Sequence, residues 1–223
     1  MSGTFYSGPS SPEEAAAYDS WYGTPAGMAI LRTELAALEP LVEVFPSPRV
    51  EVGAGTGRFS GALGALFGVD SSIESLRLAH ARGTMVAAGT GEALPLAGAK
   101  FGAVLITFTF CFLEDPMSGI AEARRLLVEG GGLVVGFLPR NAAWASMYAE
   151  RGRRGHPVYS RAHFYSPSEV ECLVTGAGFE VTGRRSTLRQ PPGLDRYEVE
   201  RAEDRMVEGA GFAAIAAVKR PIR

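Results

Sequence analysis

The sequence predicts an α/β fold: a parallel sheet with helices on both faces. Two observations carry that prediction. Five short apolar runs, at 50–52, 66–69, 84–87, 103–108 and 133–138, alternate with helical patterns. Such alternation implies parallel strands joined by right-handed helical crossovers. The first run ends in Gly53-Ala54-Gly55-Thr56-Gly57, directly before a helical stretch through Ser60 and Leu63. Ligands in these sheets lie beyond the carboxyl ends of the strands, so this turn is where one is expected.

Taken in order, the chain opens with a Pro/Ser/Gly-rich tail, 1–12, expected to be mobile. Ser11 ahead of Pro12-Glu13-Glu14 reads as a helix start: a capping hydroxyl, a proline, then acids near the positive end. Residues 26–41 carry Met28, Leu31, Leu35, Leu38 and Leu41 at three-and-four spacing, an amphipathic helix that Pro46 and Pro48 terminate. A second helical pattern, 117–128, runs into Glu129-Gly130-Gly131-Gly132, read as a stop that feeds the next strand. With 223 residues and 46% hydrophobic composition, one core suffices, so 1–223 is expected to be a single domain. Within it, 13–45 are N-terminal helices, and 140–168 and 188–210 are candidate lid segments.

Composition excludes several roles. The net charge of -2 gives no general affinity for nucleic acid or anionic membranes, and the arginines are dispersed. Cys111 and Cys172 have no spacing suited to a disulfide framework or a zinc site. The N-terminus lacks a basic segment followed by an apolar one, and no stretch reaches the roughly 18 apolar residues that span a bilayer. A soluble, cytoplasmic protein is expected.

The glycine turn divides its labour. Gly53 allows a tight turn, Gly55 lets a ligand meet the backbone, and Gly57 lets the helix pack closely on the strand. Asp70 ends the second strand, thirteen positions after Gly57. Its carboxylate can accept both hydroxyls of a ribose lying across the strand ends, and Asp70-Ser71-Ser72 can also cap the next helix. Glu51 sits inside an apolar strand, where a carboxylate is costly unless paired; a ligand ammonium would pair it.

These residues resemble the first two motifs of class I S-adenosylmethionine-dependent methyltransferases: Glu51-Val52-Gly53-Ala54-Gly55-Thr56-Gly57, then Asp70. "GTGEALPL" (89–96), "EARRLLVEGGGLVVGF" (122–137), "YDSWYGTPAG" (18–27) and "FYSPSEVECLVTGAGFEV" (164–181) resemble later and flanking segments of a small-molecule subgroup. The resemblance implies a doubly wound, Rossmann-like, seven-stranded sheet of order 3-2-1-4-5-7-6. Its last strand, "GFAAIAAVKR", would be antiparallel, and a helical cap would be N-terminal. It further implies S-adenosyl-L-methionine as cofactor. Gly53, Ala54, Gly55 and Gly57 would line its methionine half and ribose, Glu51 would face its ammonium, and Asp70 would hold the ribose hydroxyls. Ser71 would flank the adenine, with Thr90, Gly91 and Glu92 at its edge. Phe108 and Thr109 would border the sulfonium. Thr90 departs from the family's usual Asp and is a weaker, uncharged acceptor. A nicotinamide fingerprint fits poorly, because its third glycine would fall at Arg58.

The acceptor side draws on residues outside the sheet. Tyr18, Trp21 and Tyr22, with Trp144, Tyr148, His156, Tyr159, His163, Phe164 and Tyr165, form two aromatic-rich stretches; each aromatic either lines an acceptor lid or packs the core. Tyr18, Trp21, Tyr22, Trp144, Tyr148 and Tyr165 are the acceptor candidates. No general base is assigned; His163 and Tyr22 are the candidates, His163 having a surface or capping role as its alternative. "TFTFCFLED" lacks the Asn/Asp-Pro-Pro-Tyr/Phe motif of base-modifying enzymes, and Glu114-Asp115 reads as a helix cap rather than a metal site. "RGRRGHP" (151–157) reads as a solvated, flexible loop, and 190–209 as a second lid or an oligomer contact. The expected activity is methyl transfer to a small-molecule acceptor. Its alternative is a non-enzymatic cofactor-binding sensor or partner subunit. Pairing into a homodimer stays open.

Overall fold

The structure, a computed structural model, describes residues 8–221; the first seven residues of the expected tail lie outside the described residues. The elements run α1 (Pro12–Trp21), α2 (Pro25–Glu43), β1 (Arg49–Val52), α3 (Arg58–Ala62), β2 (Phe67–Asp70), α4 (Ile73–Ala81), β3 (Met85–Ala88) and β4 (Phe101–Thr107). There follow α5 (Pro116–Leu126), β5 (Leu127–Phe137), α6 (Ala143–Arg153), α7 (Pro167–Gly176), β6 (Phe179–Thr187) and β7 (Phe212–Lys219). One sheet has the order β3-β2-β1-β4-β5-β7-β6, with β7 antiparallel to β5 and β6 and every other pairing parallel. The topology is the one the family resemblance implies.

Local chemistry starts the helices. Ser11, Thr24, Asp115 and Ser166 cap α1, α2, α5 and α7, each followed by a proline at the first helical position. Ser166 and Glu169 complete a reciprocal capping box. The buried central strands then divide their side chains between two cores. Val104 and Ile106 of β4 join Ile120, Leu126, Val170 and Val174 on one face. Ala103 and Leu105 join Leu38, Phe59, Trp144 and Phe212 on the other.

The structure corrects three local expectations. The buried stripe of α2 is Ile30, Thr33, Glu34, Ala37, Leu38 and Leu41, while Met28 is exposed. The helix expected over 117–128 ends at Leu126, and β5 begins at the next residue, so the triple glycine is no helix stop. Phe101 pairs with Leu127 but Ala103 pairs with Gly132, so residues 128–131 bulge from the ladder, with Gly130 at φ +74°. A Cβ on Gly132 would lie 2.3 Å from the Phe45 ring, so glycine lets that ring lie flat against the strand. Finally, Arg151–Arg153 belong to the last turn of α6 rather than a loop, and Glu150 pairs with Arg153 and Arg154.

Two segments wrap the strand ends. Ser72 Oγ donates to the Pro9 carbonyl at 2.7 Å, which brings residues 8–11 over the end of β2. Between β6 and β7 the chain returns to α2 and α6: Glu200 N–H donates to Thr33 Oγ1 at 3.0 Å, and Trp144 Nε1 donates to the Gln190 carbonyl at 2.8 Å.

Candidate cofactor and acceptor site

The loop after β1 is built from three left-handed residues: Gly53, Gly55 and Gly57 have φ of +74°, +51° and +81°. Their surroundings differ. A Cβ on Gly53 would strike Thr109 Oγ1 at 1.8 Å, and one on Gly57 would meet Ala79 Cα at 2.8 Å. Gly57 therefore admits α4, not the strand expected from sequence. A Cβ on Gly55 would have nothing within 4 Å. The loop is packed shut at its ends and open at its middle.

Two acids frame that opening. Asp70 accepts from Gly55 N–H through Oδ2 and from Ser72 N–H through Oδ1, both at 2.8 Å. Burial pushes its carboxyl above the usual range against those bonds. The helix cap itself is Ser72, which accepts from Ser75 N–H at 3.2 Å. Glu51 is 1% exposed and accepts a short hydrogen bond from Ser60 Oγ. Burial raises its carboxyl to about 8, Ser60 and Thr107 only partly opposing it, so it holds a proton at neutral pH in the ligand-free chain.

The neighbouring strand ends complete the floor. Thr109 Oγ1 donates to the Gly53 carbonyl at 3.3 Å. Phe108 adopts φ +59°, a strained conformation for an aromatic residue, and its ring lies 5.5 Å from Phe59 and 5.0 Å from Phe212. Thr90 and Ala93 bridge a tight turn, a Cβ on Gly91 would meet Leu113 at 2.5 Å, and Glu92 Oε1 accepts from Glu114 N–H at 2.9 Å. The Glu92 carboxylate is thus committed to structure. Glu122 and Arg125 of α5 hold the same segment through Leu94 and Leu96.

The acceptor candidates separate into groups. Tyr18 and Trp21 of α1 lie together with Tyr22, its C-cap, and the Tyr18 and Tyr22 hydroxyls are 3.2 Å apart. Tyr22 touches Phe59 edge-on, which links α1 to Phe108. Tyr148 stacks near Tyr159 with ring centroids 4.4 Å apart. Trp144 is buried and spends its indole N–H on Gln190, so it secures the segment after β6. Tyr165 packs instead on Phe110, in the opposite core, beside His163. His163 is exposed and its backbone N–H donates to the Cys111 carbonyl at 2.7 Å. Burial pushes the Tyr22 hydroxyl well above its ordinary value, which makes it a holder of a proton rather than a taker.

Two groups were not foreseen from sequence: Glu34 of α2, buried with no hydrogen-bond partner among the described residues, and the knot around Asp19. Asp19 of α1 accepts from Thr56 Oγ1 at 2.7 Å, from Arg58 Nη2 at 2.7 Å and from Arg82 Nη2 at 2.6 Å. Arg82 also donates to the Thr56 carbonyl, so the knot clamps α1 onto the glycine loop and α4. Burial opposes ionisation of Asp19, but Arg58, Thr56 and Arg82 outweigh it and hold the carboxyl at about 2, below its ordinary 3.8. A depressed carboxyl stabilises the fold above its unfolded value and loses that contribution as pH falls. Asp19→Ala is expected to cost about 1–2 kcal/mol at neutral pH, by leaving partners unpaired. Denaturant titration of both proteins should show the gap closing between about pH 4 and about pH 2; a gap that persists at acid pH would disprove the clamp.

Among the described residues, no group of three or more His, Cys, Asp or Glu could hold a metal, and no helix is long and apolar enough to cross a membrane. A family model described as a methyltransferase domain matches residues 50–135. An uncharacterized protein of Mycobacterium tuberculosis is 55% identical over 205 residues, 92% of this chain and 72% of that one. A SAM-dependent methyltransferase of Thermotoga maritima, described as a possible histamine N-methyltransferase, superposes with a TM-score of 0.78 at 30% identity, covering 94% of this chain and 97% of its own. A ubiquinone biosynthesis O-methyltransferase of Cereibacter sphaeroides is 29% identical over 157 residues, 64% of either chain.

Proposed function

The chain belongs to the S-adenosylmethionine-dependent methyltransferases, and we propose that it methylates a small-molecule acceptor by direct in-line transfer. The observation that carries this reading is the open middle of the glycine loop at Gly55, tied to Asp70, with Tyr22 linked through Phe59 to Phe108 nearby. A wall of single aromatic side chains suits a small acceptor better than a polymer. The names of the relatives point the same way: a quinone and histamine are both small molecules.

In this reading the residues present fit the cofactor. Asp70 would hold the ribose hydroxyls with the lone pairs its backbone donors leave free, and Ser71 would flank the adenine. Gly53, Ala54, Gly55 and Gly57 line the methionine half and ribose. Thr90 and the backbone of Gly91 and Glu92 meet the adenine edge, since the Glu92 carboxylate is engaged elsewhere. Phe108 and Thr109 would border the sulfonium, and the cofactor when bound would supply the methyl group for transfer. What the chain itself contributes is alignment and the exclusion of water: Tyr22, Phe59 and Phe108 wall the path in, and the Asp19 clamp keeps α1 over it.

Glu51 gives the reading a pH signature. Facing the cofactor's ammonium, it must lose the proton that burial makes it keep, so binding releases a proton below about pH 8. Affinity should therefore rise with pH, by up to about tenfold per unit, and level off near pH 8. Stability of the ligand-free chain should move oppositely, falling as pH rises from 4.5 to about 8, because only the unfolded state gives up the proton there. Glu51→Gln should flatten both curves. Calorimetric titration with S-adenosylmethionine and S-adenosylhomocysteine, followed by transfer of a labelled methyl group to candidate acceptors, tests the whole proposal. Absence of cofactor binding would sink it.

A further inference from the structure

Glu34 has no place in the cofactor site, yet it breaks the apolar stripe of α2 one turn from Ile30 and one turn from Leu38. It is 4% exposed. No hydrogen bond reaches its carboxyl group among the described residues. Within its electrostatic reach lie the hydroxyls of the half-exposed Tyr18 of α1, of Tyr22 at the end of α1 and of Tyr148 of α6, the last two packed in the same core as Ile30 and Leu38 of α2. Among the described residues no cation pairs with it: Arg58, over the Tyr22 ring, is committed to Asp19, and Arg151, over the Tyr148 ring, is exposed. Tyr18 also lies within electrostatic reach of Asp70, and Tyr22 connects through Phe59 to Phe108, so this group adjoins the cofactor end of the sheet.

A lone carboxylate in such a position is costly to the fold, and a leucine or glutamine would suit the stripe better. Tyrosine rings beside a buried acid are instead what a desolvated cation requires: π faces around it and one counter-charge. Taking small-molecule methyl transfer as given, we propose that the acceptor carries a basic amine, held as its ammonium by Glu34 among Tyr18, Tyr22 and Tyr148. Neutral or anionic acceptors of the same shape are disfavoured, because they bring no counter-charge for the buried acid. Burial pushes the Glu34 carboxyl well above its ordinary value, so pairing with an ammonium favours loss of its proton.

The test uses the full chain saturated with S-adenosylhomocysteine, titrated with phenethylamine, 2-phenylethanol and phenylacetate. Phenethylamine should bind at least about tenfold more tightly than either of the others, with a heat that varies with the buffer's ionisation enthalpy. Glu34→Gln should bind S-adenosylhomocysteine as the wild type does and lose both the preference and the buffer dependence. Glu34→Leu should do the same and melt at a higher temperature. Equal binding of the three probes, no binding of any, a preference that survives Glu34→Gln, or a lower melting temperature for Glu34→Leu each overturns the inference. Failure of the wild type to bind S-adenosylhomocysteine would overturn the methyltransferase reading as well; success there with no charge preference overturns only this one.

Discussion

Asp70→Ala is expected to weaken S-adenosylmethionine binding by about 100-fold, since two ribose hydroxyls lose a charged acceptor at about 1.5 kcal/mol or more each. The carboxylate has a second task that alanine also abolishes. Its two oxygens fix Gly55 N–H and Ser72 N–H at 2.8 Å, so the open middle of the glycine loop and the start of α4 are both positioned by one side chain. Fold stability should change little, because burial already pushes this carboxyl upward and its removal relieves that cost. Asp70→Asn separates the tasks. One carbonyl oxygen can serve only one of the two backbone donors and carries no charge, so its affinity should fall between alanine and wild type. Calorimetric titration alongside thermal melts reads both quantities. An Asp70→Ala protein that binds within about twofold of wild type would show that the ribose lies elsewhere.

The fold was legible wherever a residue's chemistry acts locally. Prolines and capping side chains marked the starts of α1 and α5, and the apolar runs of β1, β2, β4 and β5 stood out because both faces of those strands are buried. Legibility failed where partners distant in sequence decide. The α2 stripe was misread because leucines draw the eye, whereas the buried face uses Thr33, Glu34 and Ala37, small or polar residues whose burial depends on Tyr22 and on the segment around Glu200. The triple glycine was misread as a helix stop for the same reason: Phe45 and the β4 register explain it, and neither is visible from the glycines.

The candidate site divides in the same way. The cofactor half, Glu51, the loop glycines and Asp70, lies within one strand-turn-helix-strand unit, and its spacing is therefore a sequence property. The Asp19 clamp joins α1 to residues 37, 39 and 63 positions away. Nothing near Asp19 signals it, although a buried-stripe reading of α2 that included Ile30 and Leu38 would have exposed Glu34. The aromatic candidates illustrate the limit most directly. Trp144 and Tyr148 are four residues apart on α6, yet one secures Gln190 while the other belongs to the group around Glu34.

Gly55→Val is expected to abolish measurable cofactor binding while leaving a folded protein. The two effects have different origins and can be read apart. Holding a side chain at φ +51° costs about 1–2 kcal/mol by the general steric penalty of left-handed backbone, and more for a β-branched residue. That cost appears in stability. The loss of binding comes from space: nothing of the protein lies within 4 Å of the added Cβ, so valine fills the volume proposed for the cofactor. Gly55→Ala provides the internal comparison, with a similar backbone strain but far less bulk, so it should lose stability comparably and affinity less. Gly53→Ala should behave in the opposite sense, because its Cβ would collide with Thr109 and disturb the junction of β1 and β4 before any ligand arrives. Melting temperature and S-adenosylhomocysteine affinity measured across the three variants would thus map which glycine serves the fold and which the ligand. A valine at 55 that binds normally would mean that the open face of the loop is not where the cofactor sits.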